Sequence, residues 1–414
     1  MNLRRQTSLL MAVLCVLAPP TKAQEKTSFK FDFGTGNAAR GWIQVSPTNF
    51  YSPEVGHGFE PGASVVATGQ SITSTNPFYF SVKLPEGNYR VTVTLGGPAG
   101  ESTTTVKAEL RRLMLEKIHT TPGKTVTRSF IVNLRTPQIA GGGEVHLKPR
   151  EKTNEWWAWD DKLTLECNGT HPALQSLEIE KAAVPTVFLL GDSTVCDQPA
   201  EPWNSWGQML PRFFKPDIAI ANHAESGETI ASSLSAHRFD KVFSLMKPGD
   251  YLFLQFGHND MKSRATNALE QYSEDFKRVI AETRAKGGTP VLVTSMERKG
   301  GVEAPTLMGY RDAVRAVAKE ENCALIDLNA MSVVLYKALG TNIGKAFQDP
   351  THHNNYGSYE LAQCVVEGIK QDKLPLAKYI VDDFKGFDAA RPDPLAGFRM
   401  PTSPQSSAEK PLGN

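Results

Sequence analysis

Three things are scarce in this chain. Charge of one sign is the first: Lys and Arg number 45 against 44 Asp and Glu in 414 residues. No global field therefore draws the protein to nucleic acid or to a membrane surface, and a charged partner has to be held by a local patch. Cysteine is the second, with only five. Cys167, Cys196, Cys323 and Cys364 are too widely spaced for a zinc site or a small stapled domain. Either disulfides or free, buried thiols fit them. The third is long apolar runs. Leu9 to Ala18 is too short to span a bilayer. Arg4 and Arg5 precede it and Pro19-Pro20-Thr21-Lys22-Ala23 follows, the layout of a secretory leader cleaved near Ala23. Leu14 before Cys15 is bulky where a lipoprotein would carry a small residue. Plain export, to the periplasm or the outside, is the expectation, with no membrane span.

What is present falls into two textures. Residues 24–182 alternate with period two: Phe78, Phe80, Val82, Leu84; Tyr89, Val91, Val93, Leu95; Val145, Leu147; Leu163, Leu165; Leu177, Ile179. Turn residues punctuate them, as in Pro85-Glu-Gly-Asn88 and Gly141-Gly-Gly143. Short alternating strands separated by turns predict an all-β sandwich. Leu110 to Ile118 fits helix and strand spacing equally. Trp156-Trp157-Ala-Trp159 with Asp160-Asp161 reads as a sandwich-core aromatic cluster or as a glycan or calcium site.

Residues 183–385 alternate buried strands (Val187–Leu190, Ile218–Ala221, Tyr251–Phe256, Val291–Thr294, Ala324–Leu328) with amphipathic stretches near Ser205–Phe214, Leu269–Lys286, Pro305–Glu320 and Tyr356–Lys370. That pattern predicts a parallel sheet wrapped by helices, one three-layer α/β/α domain. Residues 386–414 are Pro-rich and aperiodic, which predicts an extended, partly disordered tail.

The second domain carries the chemistry. Gly191-Asp-Ser-Thr194 follows a strand directly, which puts Ser193 on a loop at the carboxyl edge of the sheet, where α/β folds hold ligands. Gly227 follows the second strand and Asn259 the third. A glycine brings its N–H close to a reacting carbonyl, and a side-chain amide donates to a developing oxyanion. Both are also ordinary turn residues. Asp349-Pro-Thr-His352 places a carboxylate three positions from an imidazole, so Asp349 is able to take the Nδ1 proton and turn Nε2 outward. Helix capping by Asp349 and Asn354 is the competing reading. His258, His352 and His353 lack a third ligand of convincing spacing, so neither a metal nor a cofactor is expected. Cys196 reads as a thiol packed at the start of a following helix.

Gly191-Asp-Ser-Thr194, Gly227 within Asn-x-Ala-x-x-Gly, Gly-His-Asn-Asp260 and Asp349-x-x-His352 resemble, in order, the four blocks of the SGNH (GDSL-like) hydrolases. Trp206-Gly-Gln208 and Thr351-His352 are similar to the rhamnogalacturonan acetylesterase branch. The resemblance covers about residues 185–370; more loosely, the amino-terminal part resembles the galactose-binding-like, jelly-roll-like sandwiches attached to bacterial members. It implies a flavodoxin-like SGNH hydrolase domain with Ser193 as nucleophile, His352 as general base and then acid, and Asp349 as its orienter. The oxyanion donors would be Ser193 and Gly227 N–H and the Asn259 side chain. It also implies an esterase that removes O-acetyl groups from pectic rhamnogalacturonan, exported if residues 1–23 act as the leader they resemble. Xylan or another glycan, a lipase or thioesterase-type substrate, and a dead hydrolase fold that only binds glycan are the rivals. Trp203 and Trp206 are candidates to stack on sugar rings, with core packing equally open to Trp206 and Trp203 the one expected to be exposed, and His258 and Arg298 are candidates to contact substrate. Glu228, where related acetylesterases often show Arg-Ser after the glycine, would not favour an acidic polymer if it stood at the mouth.

Overall fold

The computed structural model describes residues 26–98 and 100–413. The leader expected at residues 1–23 lies outside them. The amino-terminal part forms two mainly antiparallel sheets. One holds Lys124–Leu134, Gly87–Gly97, Ala173–Lys181 and Ser28–Asp32 in its path, and the other holds Phe78–Lys83, Lys162–Thr170, Ser102–Ala108 and Arg112–Thr120. The period-two residues do what their spacing requires: Phe80, Val82, Val91, Val93, Leu163, Leu165, Leu177 and Ile179 all point into one buried core. Aromatic edges tie it together, Phe80 meeting Phe31 and Phe59 at 5.2 Å. The ambiguous segment is a strand, Arg112–Thr120. Val145 and Leu147 belong to no strand, contrary to expectation. The triple glycine bends the chain so that Gln138 pairs only with Glu144, and Val145 joins a small separate cluster with Leu110, Ala158 and Trp159.

The second part contains a five-stranded parallel sheet in the order Ala219–Asn222, Thr186–Gly191, Tyr251–Gln255, Thr289–Val293, Ala324–Ile326. Side chains alternate between its faces. Val187 and Leu189 pack with α1 (Trp206–Met209), α6 (Leu328–Leu339) and α7 (Asn355–Gln371). Phe188 and Leu190 pack with α2 (Ile230–Ser235), α3 (Arg238–Leu245), α4 (Ala268–Ala285) and α5 (Tyr310–Glu320). Helices α2, α3 and α6 were not anticipated from the sequence, and the stretch beginning at Ser205 is one short α-turn continued as a 3₁₀ turn at Pro211. Because every strand runs the same way, the loops after Gly191, Asn222, Gln255 and Val293 emerge at one edge.

Charges bind the two parts. Arg112 Nε donates to Asp197 Oδ2 at 2.8 Å, Arg111 Nη2 lies 2.6 Å from Glu201, and Arg238 makes two hydrogen bonds to Glu151. All are buried and opposite in sign, so removing either member strands a charge away from water. The tail is extended but packed, which overturns the expectation of partial disorder. Ser403 is buried and donates to Glu166, and the Glu201 N–H donates to the Gln405 carbonyl. These backbone and hydroxyl hydrogen bonds need no apolar periodicity. No helix among the described residues is long and apolar enough to cross a membrane.

Candidate active site

The loop that carries Ser193, the candidate nucleophile, is fixed from beneath. Trp206 Nε1–H donates to Gln255 Oε1 at 2.8 Å, Gln255 Nε2 donates to Thr194 Oγ1 at 2.7 Å, and Thr194 Oγ1–H donates to Asp192 Oδ1 at 2.7 Å. From above, Gln198 Nε2 donates to the Ser193 carbonyl at 2.7 Å. Gly191 has no room for a side chain, since a Cβ there would lie 2.6 Å from Val195 and 2.7 Å from the Gln255 carbonyl.

Ser193 Oγ stands 2.8 Å from His352 Nε2, and His352 Nδ1 stands 2.8 Å from Asp349 Oδ2. The other carboxylate oxygen of Asp349 accepts the backbone N–H groups of Thr351 and His352, each at 2.7 Å. Burial alone would raise the Asp349 pKa, but hydrogen bonds from the His352 ring and backbone outweigh it and hold the carboxyl well below its ordinary range. An ionised acceptor at Nδ1 places the ring proton there and leaves Nε2 to accept from the serine. The capping reading and the orienting reading are thus divided between residues: Asn354 caps α7 through the Gly357 N–H, and Asp349 serves the turn and the imidazole together.

Gly227 has φ +78°, a left-handed conformation that favours glycine. Among the hydrogen bonds of the described residues, the N–H groups of Ser193 and Gly227 find no acceptor. Ser193 is buried and Gly227 half-buried, and two unfilled N–H donors at one sheet edge suit an incoming oxyanion. Asn259 Nδ2 donates to the Glu228 carbonyl at 3.0 Å, while its Oδ1 accepts from Lys262 Nζ at 3.0 Å.

The four candidate substrate contacts separate. Trp206 is fully buried in the core and acts through Gln255, so it offers no face to a sugar. Trp203 is 7 % exposed rather than open, because the tail covers it: its Nε1–H donates to the Ser407 carbonyl at 3.1 Å. Its ring meets that of His352 edge-on at 5.9 Å. His258 is buried with both ring nitrogens unpartnered, and burial, then Arg298, push its pKa down to about 3, so it is neutral. Arg298 is half-buried and donates to the His258 carbonyl at 3.2 Å.

Three further expectations change. Glu228 does not face the mouth; it is 1 % exposed, 2.5 Å from Lys148 Nζ and bonded by the hydroxyls of Ser232 and Ser233. Cys196 starts no helix; its thiol is buried in the loop, 3.3 Å from Ser226 Oγ, and burial raises its pKa well above the ordinary value. Trp156-Trp157-Ala-Trp159 is not one unit either, since Trp159 is buried and Trp156 is exposed. Among the described residues no group of three or more His, Cys, Asp or Glu is placed to hold a metal ion, and all four cysteines are free.

Sequence reasoning missed Gln198, which carries no motif, and Lys148, supplied by the other domain. It also missed the tail. Leu412 packs over Gly227, Gly413 lies beside the Asn259 amide, and Lys262 donates to the Gly413 carbonyl. Under this cover Ser193 and His352 are each only 2 % exposed.

The chain matches the GDSL-like Lipase/Acylhydrolase family over residues 189–358. Residues 29–138 match the galactose-binding domain-like family of Beta-agarase/YXIM esterase-like proteins. It is 37 % identical over 219 residues to the rhamnogalacturonan acetylesterase RhgT of Bacillus subtilis (strain 168), covering 47 % of this chain and 94 % of that protein. It is 31 % identical over 212 residues to the probable rhamnogalacturonan acetylesterase YesY of the same organism, covering 48 % and 98 %. The uncharacterized esterase YxiM, also of that organism, is 28 % identical over 399 residues, covering 88 % of this chain and 97 % of that protein.

Proposed function

The chain belongs to the GDSL-like hydrolases and carries a galactose-binding-like domain on its amino-terminal side; from that premise we propose that it is a serine esterase that removes O-acetyl groups from a carbohydrate polymer, with pectic rhamnogalacturonan as the substrate. The observation that carries this reading is the unbroken line Asp349–His352–Ser193, with 2.8 Å at each contact. Ser193 Oγ attacks the acetyl carbonyl carbon while His352 Nε2 takes the hydroxyl proton. The oxygen of the tetrahedral intermediate is held by the N–H groups of Ser193 and Gly227 and by the Asn259 amide. Collapse breaks the bond to the sugar oxygen, which leaves with the proton from His352. Water then repeats the sequence on the acetyl-enzyme and releases acetate.

The names of the relatives support the rhamnogalacturonan assignment. Glu228 no longer counts against an acidic polymer, because Lys148 meets its charge. We take the protein to be exported after loss of residues 1–23. We read residues 24–182 as a jelly-roll-like sandwich, residues 183–385 as a three-layer domain with a helix-lined core on each face of the sheet, and residues 386–414 as the tail.

Acetate release from acetylated rhamnogalacturonan, acetylated xylan and a long-chain ester, beside Ser193→Ala, tests the whole reading. Release from the pectic polymer that vanishes in the variant is the expected result. Preference for the long-chain ester would transfer the protein to the lipolytic class, and equal activity of the variant would remove Ser193 from the mechanism.

A further inference from the structure

A cavity of about 660 Å³, within the usual range for small-molecule sites, lies one side chain away from Ser193 and His352, and it is not built by the hydrolase domain alone. Lys148, Arg150, Asn154 and Trp156 of the sandwich line one side, and Gln198 and Trp203 the other. Those last two join it to the candidate catalytic groups, Gln198 through the Ser193 carbonyl and Trp203 through its edge-on contact with His352. Trp156 is the unusual member. It is 43 % exposed, one of the few large apolar side chains among the described residues left to solvent. Its ring is nevertheless held: Lys162 Nζ lies over it at 4.5 Å and Trp157 meets it edge-to-face at 5.9 Å. A rigid, open indole in a polar cleft is a stacking platform at low entropic cost.

We propose that this interdomain cleft binds the glycan chain of the esterase's substrate, with Trp156 stacking on a sugar ring some way from the acetyl group being cleaved. The inference rests on the deacetylase reading and deepens it: the sandwich is a wall of the substrate site, not an appended module. Recognition is by stacking and hydroxyl hydrogen bonds. The two cations of the sandwich wall already face carboxylates, Lys148 that of Glu228 and Arg150 those of Glu155 and Glu225. The tail segment 405–412 lines the same cleft, so a chain that reaches Ser193 takes the place of the tail's inner end.

The test compares Trp156→Ala and Trp156→Phe in the full chain on acetylated rhamnogalacturonan oligosaccharides and on 4-nitrophenyl acetate. The alanine variant should raise KM for the oligosaccharide about tenfold with kcat nearly unchanged, leave the small ester untouched, and be largely rescued by phenylalanine. An unchanged oligosaccharide KM overturns the proposal. So does an equal loss on both esters, which would mean a disturbed catalytic site. Should the parent release no acetate from any glycan, the deacetylase reading fails by itself, and calorimetry of Ser193→Ala with the same oligosaccharides decides the cleft. Binding that disappears when Trp156→Ala is added upholds it, and no binding, or binding indifferent to Trp156, sinks it.

Discussion

Lys148 Nζ, on the sandwich, lies 2.5 Å from the Glu228 carboxylate and 2.5 Å from the Ser226 carbonyl, so the two residues that flank Gly227 are both held by a residue of the other domain. The loop that offers the Gly227 N–H is thereby set from outside its own fold. Lys148→Met should leave the buried Glu228 with only Arg238 at 3.8 Å and the hydroxyls of Ser232 and Ser233. A stability loss on the order of 1–3 kcal/mol follows from the weakened pairing. A fall in kcat of about tenfold follows from a displaced oxyanion donor, with KM for a small ester little changed. Thermal melts and 4-nitrophenyl acetate kinetics read both. Unchanged kcat would mean that the Gly227 loop holds its place without the sandwich.

Asp349→Asn separates the two tasks of that side chain. The amide oxygen still accepts the backbone N–H groups of Thr351 and His352, so the turn should persist, while the stability that ionised Asp349 supplies at neutral pH is lost. The amide N–H₂ set against Nδ1 favours the other imidazole tautomer, which presents a proton, not a lone pair, to Ser193. Turnover should fall by roughly 10²–10⁴ with KM retained. The parent's depressed Asp349 pKa has a stability signature as well: its contribution is fully present above the unfolded carboxyl pKa and is lost as pH falls below it. The variant should therefore lack that acid-dependent loss.

How much of this could be read from the chain depends on which forces do the folding. Val187–Leu190 announces itself because a strand buried on both faces must be apolar throughout, and Ser193 then follows from position. Asp349 and His352 are legible because a three-residue offset fixes their meeting locally. Helix α2 is short and serine-rich, held by Thr229 and Ser232 capping each other's N–H groups, and its apolar pattern is too brief to register. Sequence leaves Trp206 open between sugar contact and core packing because an indole carries the same signal whether its N–H faces substrate or, as here, Gln255. The tail was illegible for a different reason. Its anchors are backbone carbonyls and hydroxyls meeting Lys107, Asn168, Glu166 and Trp203, and such hydrogen bonds leave no periodicity in sequence.

Asp260 supplies a pH effect of opposite sign. It is buried, its Oδ1 accepts the Ile230 N–H at 3.0 Å, and its Oδ2 has no partner. Burial first, aided by Asp192, pushes its pKa up to about 7. In the unfolded chain the carboxyl ionises near its ordinary value, so between that value and about 7 the folded state holds a proton that the unfolded state has lost. Stability from this group accordingly falls as pH rises through that window and then levels off. Asp260→Asn keeps an acceptor for Ile230 and cannot ionise. Relative to the parent it should gain on the order of 2–4 kcal/mol between pH 4 and pH 8, most of it before neutrality. Urea melts across that range give the difference directly, and parallel curves would show that Asp260 titrates normally.

On the proposed reading of the cleft, the tail and the substrate compete for one place. Trp203 donates to the Ser407 carbonyl, Leu412 covers Gly227, and Gly413 lies against Asn259, so the groups assigned to the oxyanion are roofed by the chain's own residues. Opening that roof costs the hydrogen bonds to Ser407 and Gly413 and the Leu412 contact, each a small term, so a modest equilibrium separates covered from open. Ending the chain after Ser406 removes those contacts and keeps the buried Ser403 anchor. The open form then needs no displacement, and KM for the acetylated polymer should fall several-fold because apparent affinity scales with the competent fraction. The small ester should gain less, since it needs less of the cleft. Steady-state kinetics on both, with a melt to confirm that the truncated chain is folded, decide the matter. A KM that rises for the polymer alone would make residues 407–413 part of the binding surface instead of its cover.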